Sequence, residues 1–165
     1  MPGNEVITKT ELSVALAFFL MLALAGVWLG GVAVQDFSRA RASTGWPVAE
    51  GVVLSPREKG FRYAYVANGR SYESGRIHFL TANFLAAKFE KPDPGAALDV
   101  RYDPDRGAEA VLVPGGSGGV FALIVSFAGV LVFFGVGGLI RTIIIAREIE
   151  EEDEDGAAFS GERAY

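Results

Sequence analysis

The chain has 165 residues, half of them hydrophobic and only 21% charged, with a net charge of −5. That length allows one modest domain. The absence of cysteine excludes disulfides, thiolate catalysis and Cys-based zinc or iron–sulfur sites. A single histidine, His78, excludes a cluster of His ligands. Residues 36–119 carry 11 Lys/Arg and 10 Asp/Glu, whereas the stretch from Arg141 onward carries 3 against 8. The chain therefore has no basic surface for nucleic acid.

A short tail, residues 1–11, precedes the first apolar block at 12–34. This block holds 23 residues and no charge. At a helical rise of about 1.5 Å per residue it covers the roughly 30 Å of a hydrocarbon core with some tilt. Lipid offers no partners to backbone polar groups, so such a segment must be helical. A cleaved signal peptide is the rival, with 12–22 as its apolar core and Ala23-Leu24-Ala25 as the cleavage motif. The nine further uncharged residues, Gly26 to Val34, favour a retained span. Trp28 lies toward the far end of the block and suits an interface anchor.

Residues 44–114 read as a β-rich extramembrane domain. Trp46 either sits at the headgroup level or packs under the domain, and packing is the stronger reading. A first strand is expected around 48–55, with Val52 in the core. Phe61, Tyr63 and Tyr65 alternate with Arg62, Ala64 and Val66, the period of a half-buried strand. Asn68-Gly69 suits a tight type I′ turn. The return strand is expected over 70–79, burying Tyr72 and Ile77. Leu80, Phe84, Leu85 and Phe89 fall at helical spacing and predict one amphipathic helix over 80–90. A fourth strand, 97–102, contributes Val100 and Tyr102, and a fifth runs over 109–113. Such a set predicts a small all-β sandwich or partly open barrel carrying one short helix, inserted in a two-helix transmembrane hairpin.

Residues 115–119, GGSGG, read as a flexible joint. The second apolar block, 120–140, follows, and its helix is expected to continue to about residue 150. Arg141 and Arg147 can snorkel to the interface. Residues 151–165 are acidic and are expected to be disordered. Gly26 and Gly30 share a helix face. If Val34 stands opposite Val120, Gly26 meets Ala128, Gly30 meets Ile124, and Ser126 and Gly129 lie near the Gly26 level. No specific role is evident for Gly135, Gly137 and Gly138. Flanking Lys/Arg weigh slightly toward cytoplasmic termini and an extracytoplasmic β domain.

The order Trp46-Pro47, Gly51-Val52-Val53, Tyr63-x-Tyr65-Val66, Gly69-x-x-Tyr72, Pro94-Gly95 and Val100-x-Tyr102-Asp103-Pro104 resembles a bacterial membrane family catalogued as domain of unknown function 3592. The resemblance covers roughly residues 12–140 and implies a span, a β-rich segment and a second span. Where the family often has a second proline after Tyr-Asp-Pro, this chain has Asp105-Arg106-Gly107. The resemblance carries no activity, cofactor or catalytic residue.

Asp93, Asp99, Asp103 and Asp105 offer oxygen ligands, but their spacing fits no EF-hand loop and suits turn capping better. His78 near Glu73 would need a nucleophile with an oxyanion site, and no G-x-S-x-G motif occurs. The expectation is therefore a non-enzyme with no catalytic residues, cofactor or metal. Its expected place is the bacterial inner membrane, crossed twice. The β domain is expected to bind or brace another membrane or envelope protein, as an accessory subunit of a larger complex. The alternative is a homo-oligomeric channel or transport component, and an envelope enzyme using His78 comes last.

Overall fold

The computed structural model describes residues 9–54, 60–83 and 89–161. Helix α1 spans Lys9–Ala42, and a single 3₁₀ turn at Ser43–Gly45 leads into the sheet. Five strands follow: β1 (Val48–Val53), β2 (Tyr63–Ala67), β3 (Arg70–Ser74), β4 (Ala97–Tyr102) and β5 (Ala110–Val111). Helix α2 then runs over Gly118–Gly161. The chain divides into two compact units. One joins residues up to Gly30 with those from Ser126 onward, and the other is Gly31–Val125.

In the Gly31–Val125 unit all pairings are antiparallel, in the order β3-β2-β1-β4-β5. Asn68 and Gly69 both take positive φ, at 51° and 73°, as the two-residue β2–β3 turn requires. The sheet curls into a half-barrel. At its rim the Asn68 side-chain amide donates to Pro104 O (3.1 Å), linking the β2–β3 turn to the β4–β5 turn. Further along, Val113 N–H donates to Ile77 O (2.9 Å), joining the segments that follow β3 and β5. Val53, Phe61, Tyr63, Tyr65, Ala67, Val100 and Ala110 fill the concave side. Tyr72, Ile77 and Tyr102 are half-buried against them.

Several expectations need correction. Val52 is not a core residue but 44% exposed. Side chains alternate across a strand, and Gly51 and Val53 take the inward positions. The close approach of Gly51 shows why: a Cβ there would lie 2.6 Å from Val100 Cγ2 and 2.9 Å from Ala64 O. Strand β3 stops at Ser74, where Gly75 lies so close to Phe61 O that a Cβ would reach it at 2.8 Å. The fifth strand has two residues rather than five. Of the helix expected over 80–90, residues 84–88 lie outside the described residues. Leu80–Ala82 form a turn closed by Ala82 N–H to Phe79 O (3.1 Å), and Leu80 is exposed.

Both helices are longer than their apolar blocks. Helix α1 begins at Lys9 and ends at Ala42, and α2 continues through the acidic stretch to Gly161. Glutamate is a good helix former, and a helix already nucleated in the apolar block extends at little cost. Both are long and apolar enough to cross a membrane, with only 11% of each apolar window buried.

In the other unit the helices pair antiparallel, one turn out of the expected register. Gly26 meets Ala128 as expected, at its carbonyl, and also the backbone N of Val132, whereas Gly30 faces Ala128 rather than Ile124. Two of the three positions without an expected role make the closest contacts. A Cβ at Gly135 would lie 2.5 Å from Ala23 N and 2.8 Å from Ala23 Cα, and one at Gly138 would enter the Phe19 ring. A Cβ at Gly129 would meet nothing within 4 Å and Ser126 is exposed, so neither belongs to the contact. The register follows these glycines because only they admit the Ala23 backbone and the Phe19 ring.

Candidate functional site

The most elaborate polar arrangement lies in the Gly31–Val125 unit, where both helix ends meet the half-barrel. The Asp36 carboxylate is one residue past the apolar part of α1 and Gln35. Its Oδ2 accepts from both the backbone N–H and the hydroxyl of Thr81, each at 2.9 Å. Thr81 is fully buried. Its carbonyl in turn accepts from Ser117 N–H (2.7 Å), at the start of α2. One threonine thus ties the end of α1, the loop after Phe79 and the start of α2 together.

The GGSGG segment is docked rather than loose. Gly115, at φ +96°, donates its N–H to the buried Ser43 Oγ (3.0 Å), which itself donates to Ala40 O (2.7 Å). Gly116 fits between Ala40, Phe37 and the Thr81 hydroxyl, with room for a Cβ only at 3.0–3.2 Å. Ser117 caps α2: its Oγ accepts from Val120 N–H (3.4 Å) and its carbonyl from Phe121 N–H (3.0 Å). The segment expected to be a flexible joint thus has defined partners for the backbone N–H groups of Gly115 and Ser117. Phe37 and Phe121 stack at 4.3 Å between centroids, and Arg41 lies over the Phe37 ring.

Beside this clasp, Arg39 pairs with Glu109 (3.5 Å), and Arg106 bridges Glu109 (3.1 Å) and the nearly buried Asp103 (2.9 Å). Asp103 also accepts from Asp105 N–H (3.0 Å), so this aspartate caps the β4–β5 turn. Trp46 is buried with Ala40, Phe79 and Val111, packing under the domain. Arg101 donates to the carbonyls of Thr44 (3.2 Å) and Trp46 (3.1 Å). A cleft of about 420 Å³ opens here between Ser38, Arg39, Trp46, Pro104 and Arg106.

Inside the half-barrel, Tyr63, Tyr65 and Tyr72 form a row with ring centroids 6.0 and 5.9 Å apart. Tyr63 donates its hydroxyl to Arg76 O (2.9 Å) and Tyr65 to Gly107 O (2.7 Å). Burial, then the neighbouring Tyr63 and Tyr72, push the Tyr65 phenol up to about 12. The folded state therefore keeps this proton where the unfolded chain loses it, and stability falls as pH rises from 10 toward 12. Thermal melts between pH 9 and 12 should show that decline, and Tyr65→Phe should make it shallower. An equal slope in the variant would remove Tyr65 as its source.

His78 is half-buried, and burial lowers its pKa. Trp28, expected at an interface, is 70% exposed on α1. Arg141 is exposed on α2, and Arg147 lies six residues further along it. Among the described residues no group of three or more His, Cys, Asp or Glu is placed to hold a metal.

The clasp residues Asp36, Ser43, Thr81 and Ser117 escaped the sequence reading. Asp36, two residues past the first apolar block, and Ser117, three before the second, leave only that position as a signal, and Ser43 and Thr81 leave none. A family model described as a domain of unknown function (DUF3592) matches residues 34–117. No curated protein and no solved structure matches the chain.

Proposed function

The chain belongs to the DUF3592 family, and from that premise we propose a two-span, non-enzymatic membrane protein whose half-barrel docks or braces another membrane or envelope protein. Its termini lie in the cytoplasm of a bacterial cell and the half-barrel lies outside, in an accessory subunit of a larger complex. The observation that carries the reading is the clasp around Thr81, which joins both helix ends to the half-barrel. A domain tethered by one flexible linker samples many orientations. One hydrogen-bonded to the adjoining ends of two helices has less freedom to lose, which lowers the entropy lost on docking. The apolar side chains left exposed on α1 and α2, Phe18, Leu24, Phe127 and Phe133 among them, support lipid as their solvent.

Native membranes washed at alkaline pH should retain the protein. After mild detergent extraction it should co-purify with a partner whose crosslinks map to residues 44–114. Release by the wash would end the membrane reading. A mass measurement giving a ring of identical copies would replace the accessory subunit with a channel component.

A further inference from the structure

The outward face of the half-barrel carries a pattern that the fold itself does not use. Side chains of Val48, Glu50 and Val52 on β1, Ala64 and Val66 on β2, and Ala97 and Asp99 on β4 point away from the core. Val48, Val52 and Val66 are 51%, 44% and 60% exposed. Between these valines Glu50 and Asp99 stand directly opposite each other in the β1–β4 register. Like charges directly opposite in a cross-strand pair are unfavourable, and both of these side chains are exposed.

Among the described residues, the two arginines of this face are engaged elsewhere. Arg62, on the same face, is paired with Glu73 (3.5 Å), and the Arg101 guanidinium is turned to the carbonyls of Thr44 and Trp46. A second copy presenting this same face would bring the same engaged arginines and a second acidic pair. A metal ion would find only two carboxylates, and no third ligand stands near among the described residues. Anionic lipid headgroups would be repelled.

We propose that this face, Val48, Val52 and Val66 around the Glu50–Asp99 pair, docks a partner protein segment presenting a lysine or arginine between apolar side chains. The inference rests on the accessory-subunit reading and specifies the surface and its chemistry. A cation placed between the two carboxylates removes their repulsion, while the valines bury apolar area around it. The acidic pair also discriminates against neutral or acidic competitors.

The test is photo-crosslinking of the full chain in its native membranes, with a photoreactive residue at position 52 or 66 and a control at position 70. Adducts at 52 and 66 should be to a different protein, through a peptide containing Lys or Arg. The double reversal Glu50→Lys/Asp99→Lys should lower adduct yield about tenfold or more, like-charge contacts costing at least the ~1.4 kcal/mol of one decade. The milder Glu50→Gln/Asp99→Asn should also lower it while melting no lower than the parent, which separates lost docking from lost folding. Adducts to lipid or to a second copy, or yields unchanged in both variants, would overturn the proposal. Protein adducts elsewhere on residues 44–114 but none at 52 or 66 would overturn this surface and leave the accessory reading standing. No protein adduct anywhere on the domain would overturn both.

Discussion

Replacing Gly135 by valine should separate the helix pair. The space a side chain would need is already occupied by the backbone of Ala23, 2.5–2.8 Å from an ideal Cβ. A backbone cannot rotate aside as a flexible side chain can, so the helices must shift apart or slide. Overpacking of this kind costs about 1–3 kcal/mol or more, and in lipid close van der Waals packing is the main force holding such a pair. The chain has no cysteine of its own, which permits a clean reporter. A Cβ at Gly30 would lie 3.7 Å from Ala128 Cβ, inside the window of about 3.5–4.5 Å for a disulfide. Gly30→Cys/Ala128→Cys should therefore oxidise readily to an intrachain crosslink in membranes. Adding Gly135→Val should slow that crosslinking about tenfold or more. Gly129→Val and Gly137→Val should leave it unchanged, because a Cβ at either position would meet nothing within 4 Å. Equal losses in all three variants would show that bulk anywhere on α2 disturbs the pair, and the specific contact would be discarded.

Removing the Asp36 carboxylate should produce the second large effect, this time in the half-barrel unit. Asp36→Ala leaves both the buried N–H and the hydroxyl of Thr81 without their acceptor. Each unsatisfied buried group costs about 1–3 kcal/mol. For a unit of this size the two together correspond to a fall in melting temperature of at least roughly 10 °C, at about 4–8 °C per kcal/mol. Thr81→Val, which keeps the shape and loses one donor, should cost about half as much. The decisive measurement is the double variant Asp36→Ala/Thr81→Val. Because the two side chains serve the same contact, its cost should fall well short of the sum of the two single costs. Simple additivity in thermal melts would mean that the clasp is not a cooperative unit. It would then not carry the bracing role assigned to it.

Local pattern alone determined much of this protein. Two uncharged blocks bound to become helices, a period-2 run from Phe61 to Val66, an Asn-Gly turn and the strand Ala97–Tyr102 are all encoded within a few residues. Each follows from short-range sterics and from the need of backbone groups to bond within their own segment. The inward face of β2 was legible for the same reason.

What lies between distant segments was decided only by the tertiary structure. Strand alternation names two faces of β1 but does not say which one is buried, and pairing with β2 and β4 places Gly51 and Val53 inside and Val52 outside. The helix register was mistaken by one turn because it depends on where the Ala23 backbone and the Phe19 ring find room, at Gly135 and Gly138. GGSGG looks loose in sequence because glycine is permissive. It is held because Ser43 and Thr81, distant in the chain, accept from the backbone N–H groups of Gly115 and Ser117. The opposed carboxylates Glu50 and Asp99 are 49 residues apart in sequence and meet only through the β1–β4 register. Periodicity follows from neighbours along the chain, whereas juxtaposition follows from which surfaces the folded chain has left to bury.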